Sequence, residues 1–297
     1  MGAINLSALP PPDVVETLDF EVVLADICAT LLRVAPADMR AGIAAALKSE
    51  LEPIQMLAQV AAYRELLLRQ RVNEAARATL LAYAEKADLD NRAADYGVTR
   101  LLVRPADPNA NPPTSAEYEN DERLRYRCQM ALEGLAAAGP RGAYRFHALS
   151  ASVDVADVDI DTPEGGLVRV WVLARDGVAR QPLLAQVAAA LNAETIRPLC
   201  DAVEVVAATP LDFSLQASIV YLPGGEKISG GLEGARERLA TMLAARRSIR
   251  GSVPRSAIDA ALHVPGVDRV AILAPAADVM SQPGQYPDCS SIMVSAS

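Results

Sequence analysis

The run from Pro53 to Ala87 constrains the fold more than any other stretch, because it contains no glycine and no internal proline. Its apolar and small residues recur with the period of an amphipathic helix; they are Leu57, Val60, Ala61, Leu67, Leu68, Val72, Ala75, Ala76, Thr79 and Tyr83. At 1.5 Å per residue, such a helix would be about 50 Å long. Helical periodicity over more than about 25 residues is typical of bundles and coiled coils. The sequence therefore predicts one long helix that packs on other helices.

The polar side of this predicted helix is rich in arginine, which leaves two interpretations open. It is either a solvated face with modest ion pairs such as Glu65–Arg69, or a surface that faces a partner, since arginine is enriched and lysine depleted in interfaces. The candidate residues for protein interaction on this helix are Tyr63, Arg64, Leu67, Leu68, Arg69, Arg71, Val72, Asn73, Glu74 and Arg77.

Helices also dominate the prediction for the residues before Pro53. Residues 1–16 carry Pro10, Pro11 and Pro12, which favour a stiff polyproline arm. Helices are predicted from Leu18 to Val34, after a stretch rich in acidic residues, and from Pro36 to Leu47. Ser49 and Glu52 have the spacing of a capping box, and Pro53 is tolerated in a first turn, so the long helix should begin there.

The remainder of the chain predicts mixed structure. Valine-rich strands from Val153 to Leu173 surround a turn at 163–166 and alternate with helices, and a period-two strand from Leu211 to Tyr221 follows. The fold class is therefore α+β, with an N-terminal long-helix bundle region followed by two small α+β domains. We expect boundaries at 1–104 for the arm and helices, 105–120 for a proline-rich linker, 121–209 for the first α+β domain and 210–297 for the second.

Composition limits the classes of function. None of the apolar segments reaches the length of a membrane span, and the first residues lack the pattern of a signal peptide. The net charge of −9 disfavours a general nucleic-acid-binding protein. Four cysteines without CxxC spacing and two histidines predict neither a metal site nor a cofactor site.

A search for catalytic motifs favours a non-enzymatic protein. GxSxG, HExxH and a P-loop are missing from the sequence, and His147 and His263 are interpreted as structural. Asp157, Asp159 and Asp161 alternate as on the solvent face of a strand, although a carboxylate pair of a glycan hydrolase stays an alternative. A second alternative is nucleic-acid binding by the arginines between Arg236 and Arg255, against which the lack of aromatic partners counts. Protein contact and a solvated face are the other interpretations of this cluster, and the candidate residues for protein contact are Arg246, Arg247 and Arg250.

Four blocks of residues resemble the J family of phage baseplate proteins, known from P2-like contractile tails and from R-type phage-tail-like bacteriocins (tailocins). The blocks are LPPPDVVETLDFE at 9–21, AYRELLLRQRVNEAARATLLAYA at 62–84, EGLAAAGPRGAYRFHALSA at 133–151 and AALHVPGVDRV at 260–270. They occur in order from one end of the chain to the other. The loop at 223–231 and the residues after 274 lie outside the resemblance.

The resemblance implies a structural wedge subunit in a six-fold baseplate around the central hub and spike, without catalytic residues, cofactors or a membrane. Its implied partners are an I-type wedge protein bound through a helix bundle, neighbouring copies bound through C-terminal domains, and the hub and sheath proteins. The chain would be made and assembled in the bacterial cytoplasm. During contraction, the wedges would hinge at inter-wedge contacts or at the 105–120 linker.

Overall fold

The computed structural model describes residues 6, 9, 10, 12, 14–136 and 139–296. Pro11 of the predicted arm therefore lies outside the described residues. The chain forms two compact units, one made of Met1–Thr99 with Asp121–Arg125 and the other of Arg100–Asn120 with Tyr126–Ser297. The predicted α+β class, with helices at the N-terminus, is confirmed.

The first unit is helical. Its helices are α1 (Phe20–Val34), α2 (Arg40–Ala46), α3 (Pro53–Ala78) and α4 (Lys86–Ala94). Asp19 caps α1, since its Oδ1 accepts a hydrogen bond from the backbone N–H of Glu21 at 2.8 Å. A small core joins α1 to α3 through four buried residues: Val23, Leu24, Ala58 and Ala62.

Helix α3 begins at Pro53 as predicted, but it ends at Ala78 and not at Ala87. At the end of the helix, the Thr79 hydroxyl donates to the carbonyl of Ala76 at 2.8 Å, and the Leu80 N–H bonds back only three residues, to Arg77. Both contacts compete with continued α-helical bonding. The predicted capping box is also wrong, because the N-cap is Glu52 and no side chain caps the helix.

The second unit starts with the predicted linker, which folds back on itself. Strand β1 (Leu102–Arg104) pairs antiparallel with β2 (Glu117–Tyr118), and an isolated bridge joins Asp107 to Thr114. At the base of this excursion, the buried Glu119 side chain forms an ion pair with the buried Arg127, with an Oε1–Nη1 distance of 2.5 Å. Arg127 belongs to α5 (Asp121–Ala131), which a short 3-10 helix follows.

A four-stranded sheet forms the central module. The elements are α6 (Arg141–Ala151), β3 (Val155–Glu164), β4 (Leu167–Ala174), β5 (Gly177–Val178), α7 (Gln181–Leu191) and β6 (Ala202–Ala207). Strand β4 pairs antiparallel with β3 on one side, and on the other with β6 in parallel and with β5 antiparallel. Inward residues of the strands pack with α6 and α7 around Tyr144, Val170 and Leu191, each no more than 2% exposed.

The C-terminal module also packs helices on a sheet, here three-stranded in the order β11-β7-β9. Its elements are β7 (Thr209–Tyr221), α8 (Gly225–Ser229), α9 (Gly231–Arg246), β8 (Ser252–Val253), α10 (Arg255–Leu262), β9 (Val267–Ala274), β10 (Val279–Met280) and β11 (Gln285–Ala296). The loop at 223–231 thus contains a short helix. Strand β11 is much longer than the predicted segment at 292–294, because its small and polar residues hide the strand pattern.

The chain passes from the central to the C-terminal module without a loop. Only Ala208 separates β6 from β7, and it is fully buried in a cluster with Leu173, Ile249 and Tyr286. The Ala208 N–H donates to Val172, and the next N–H, of Thr209, donates to Gly284, both at 2.9 Å. The two sheets are therefore joined by backbone hydrogen bonds on either side of one residue.

Candidate functional site

Helix α3 has a large apolar face that is exposed and that the described residues of its own unit leave uncovered. Gln55, Ala58 and Ala62 are buried toward α1, whereas the opposite side carries six large apolar residues that are 40% to 70% exposed. We call this side the outer face of α3; it consists of Met56, Leu57, Val60, Tyr63, Leu67 and Leu68. A contiguous apolar surface of this kind commonly marks a site of protein interaction.

Two of the predicted interaction residues, Arg69 and Asn73, contact Glu16 of the N-terminal arm. The Asn73 side chain accepts a hydrogen bond from the Glu16 N–H at 3.1 Å and donates to the Glu16 carbonyl at 2.8 Å. Arg69 forms ion pairs with Glu65 at 2.6 Å and with Glu16 at 3.3 Å. The hydrogen bond that Arg69 donates to Glu65 is the main cause that raises the pKa of Arg69. Glu16 is a contact that sequence reasoning missed, since nothing in its spacing links it to Asn73.

The remaining polar candidates on α3 lie along its exposed side. Arg64 follows Val60 by four residues, and Arg71 follows Leu67 by four, so both continue the outer face. Arg71 pairs with Glu74 at 3.4 Å in a strongly exposed contact that contributes little stability. Val72 is 59% exposed, and Arg77 lies in the last turn, where positive charge suits the helix macrodipole.

The three candidates near the end of α9 make contacts within the chain. Arg247 donates to the carbonyl of Ala174 at 3.2 Å and lies 4.8 Å from the Tyr286 ring, and Arg250 forms an ion pair with Asp159 at 2.6 Å. Arg246 donates to the carbonyl of Ser252 at 3.2 Å. Arg247 and Arg250 thus lie at the junction between the central and C-terminal modules.

The other arginines of this cluster are also used internally. Arg236 pairs with Glu233, Arg238 donates to the carbonyls of Ser229 and Ala261, and Arg255 donates to those of Ile272 and Pro275. Their guanidinium groups point to separate protein acceptors. This arrangement counts against one continuous basic surface for nucleic-acid phosphates.

Asp157 is a junction residue that was wrongly predicted to face solvent. Its Oδ1 accepts from Arg145 at 2.5 Å, while its Oδ2 accepts from the Ile249 N–H of the C-terminal module at 2.9 Å. Burial acts to lower the pKa of Arg145, but Asp157 and Tyr126 raise it overall. One carboxylate therefore joins α6, β3 and the C-terminal module.

His147 makes a contact within the central module. His147 lies with its Nε2 at 3.2 Å from the carbonyl of Gly134, and burial lowers its pKa. Within residues 14–136 and 139–296, no group of histidine, cysteine and acidic side chains could hold a metal ion. No described helix combines the length and the apolar character needed to cross a membrane.

Comparison with known proteins identifies the family to which the chain belongs. The Baseplate J-like N-terminal domain matches residues 50–107, the central domain 136–207 and the C-terminal domain 225–295. The chain is also 43% identical over 297 residues to Baseplate protein J of Escherichia phage P2, with 99% of this chain and 98% of that protein covered. The chain therefore belongs to the baseplate J family, structural proteins of the baseplate of contractile phage tails.

Proposed function

We propose that this chain is a wedge subunit of a six-fold baseplate ring around the hub of a contractile phage tail or tailocin, and that it has no catalytic activity. It binds an I-type wedge protein through α3, binds neighbouring copies through its C-terminal part, and contacts the hub and sheath proteins. Assembly takes place in the bacterial cytoplasm. We retain the division at 1–104, 105–120, 121–209 and 210–297 as part of this proposal.

The outer face of α3 is the observation that carries the proposal. Leu57 and Leu68 are 70% and 66% exposed, and burying one such side chain fully stabilises a complex by about 1.5–3 kcal/mol. Arg64 lies between Val60 and Leu68 on this face, and Arg71 continues it beyond Leu67, so both can make polar contacts with a partner. A partner helix with its own apolar stripe fits this face in the helix-in-groove mode.

The test replaces Leu67 and Leu68 by aspartate in the full chain. Two buried charges would be placed in the interface, so we expect co-purification of the I-type protein to be lost. The matched control is the double variant L199D/M280D, which changes two exposed apolar residues of the second unit that are 98% and 62% exposed. The control is expected to bind normally.

The fold of each variant is followed by circular dichroism, which reports on the helices of the first unit, and by the fluorescence of Trp171, the single tryptophan, which reports on the second unit. An L67D/L68D variant that retains its partner at wild-type affinity would contradict the proposal.

We further propose that the wedge rearranges on contraction at its contacts with neighbouring wedges. The alternative hinge, at 105–120, is disfavoured by bonds at the base of that segment. The Glu119 N–H donates to the Leu101 carbonyl at 2.9 Å, and the Leu101 N–H donates to the Glu119 carboxylate at 3.0 Å.

A further inference from the structure

Strand β11 ends its sheet with a free edge. It is the outermost strand in the order β11-β7-β9 and pairs in parallel with β7 from Gln285 to Ala296. At its start, the Gln285 carbonyl accepts from the Arg250 N–H at 2.8 Å. Beyond that contact, the described residues pair β11 on one side only, so its other side presents backbone groups that can pair with another strand.

Polar contacts protect the other outer strands of the two larger sheets of the second unit from such pairing. The edge strand β9 carries the exposed Asp268 and Arg269 in its first half, and in its second half the Ile272 carbonyl accepts a hydrogen bond from Arg255 at 3.0 Å. Strand β6 carries Glu204. Strand β3 carries four acidic residues along its length: Asp157, Asp159, Asp161 and Glu164. Charges at an edge are a common device against association of strands.

The first half of β11 is protected in the same way, but its second half is not. Pro287 lacks an N–H, Asp288 is charged, and a bulge at Ser290 shifts the register with β7. Residues 291–296 contain neither charge, proline nor glycine. Met293 in this segment is 53% exposed. Because an edge strand without charged residues or proline is prone to pair with another strand, we expect this segment to be paired in the assembled protein.

The unprotected half is complementary to itself. Ser291, Ile292, Met293, Val294 and Ser295 read almost the same in both directions. In an antiparallel pair centred on Met293, serine lies opposite serine and the β-branched Ile292 lies opposite Val294. Val294 is buried and Ile292 half-buried in the core, whereas both serines and Met293 are exposed. In the pair, core-facing residues therefore lie opposite core-facing residues, and exposed residues lie opposite exposed residues. The matching partner is thus a second copy of the same strand.

We propose that two copies of this chain associate through antiparallel pairing of their β11 strands, centred on Met293. The two three-stranded sheets become one continuous sheet across a two-fold axis. The inference rests on the proposed function, because it specifies the contact between neighbouring copies, but it involves different residues from the outer face of α3.

The first experiment is sedimentation of the full chain and of the M293K variant. Lysine would place two like charges opposite each other at the centre of the pair, so we expect the dimer to dissociate at least tenfold more readily. The matched control is L273K, which lies on the opposite edge strand β9 of the same sheet and is 65% exposed. This control is expected to dimerise like the wild type. An M293K variant as dimeric as wild type would overturn the proposal.

The second experiment tests the register by disulfide formation. In a background with Cys200 and Cys289 changed to serine, M293C is expected to cross-link with itself, since directly opposed residues bring their Cβ atoms to about 4.5–5.5 Å. S291C and S295C should each stay uncross-linked alone and cross-link when the two variants are mixed. The M293C experiment is repeated in purified tails, where the partner copy is present whatever the affinity in solution.

A wild-type monomer together with no M293C cross-link in tails would refute the pairing. If, in that case, L67D/L68D loses the I-type protein and the L199D/M280D control keeps it, the proposed function stands and this inference fails. If M293C cross-links while L67D/L68D keeps its partner, the inference stands and the proposed role of α3 fails.

Discussion

Replacing Gly284 by alanine tests how tightly the central and C-terminal modules are joined. Gly284 precedes β11 with φ at +75°, and an added Cβ would lie 2.6 Å from ring atoms of Trp171 on β4. Gly224 is a matched control, because its φ is +74° and nothing lies within 4 Å of an added Cβ. The two glycines therefore share the backbone conformation and differ in the steric contact.

The expected magnitudes separate these two effects. An L-residue in the left-handed region costs about 1–2 kcal/mol, and this is the whole loss of unfolding free energy expected for Gly224→Ala. Overpacking against the Trp171 ring costs Gly284→Ala about 1–3 kcal/mol more. For a unit of this size, each kcal/mol lowers the melting temperature by about 2–4 °C.

Urea denaturation followed by Trp171 fluorescence measures this difference, since the only tryptophan lies at the junction itself. Circular dichroism then compares W171L with the double variant W171L/G284A. Removing the indole ring should relieve most of the additional loss, leaving a cost close to that of Gly224→Ala. Equal stability of G284A and G224A would refute the close packing of the modules at this point.

Two further predictions concern contraction and pH. A disulfide in D107C/T114C would lock the 105–120 segment, because the backbones of residues 107 and 114 exchange hydrogen bonds at 3.0 Å. Tails that carry this disulfide should contract like tails in which it has been reduced. Blocked contraction would place the hinge in this segment. Since burial lowers the pKa of His147, the unfolded chain binds more protons near pH 6, so stability is lost as pH falls through about 6.5. His147→Gln should flatten this dependence in thermal melts; an unchanged pH profile in H147Q would contradict the argument.

The sequence predicted features set by local patterns. The start of α3 at Pro53, the strand pattern at 211–221 and the turn between β3 and β4 depend on residues close in the chain, and all are found. Tyr63, Leu67 and Leu68 of the outer face were predicted as candidates, because helical period alone aligns them, whereas Met56, Leu57 and Val60 were not. The resemblance supplied the family.

Features created by distant contacts were not predictable. Asp157 and Asp159 show the alternation of a solvated strand, and only folding brings Ile249 and Arg250, about ninety positions later, against them. Strand β11 has a sequence of small and polar residues and is specified by its neighbour β7. Hydrophobic periodicity and intrinsic propensity predict the helix or strand to which a residue belongs, but they do not predict which distant residues contact it in the fold.

The passage of the chain through Ala208 has a mechanical consequence. A pull between the central and C-terminal modules runs along the axis of β6 and β7, which are embedded in their sheets by pairing with β4 on one side of Ala208 and with β9 and β11 on the other. Such a load shears many inter-strand hydrogen bonds at once instead of opening them one by one. The two modules can thus transmit a pulling force from one to the other without extending.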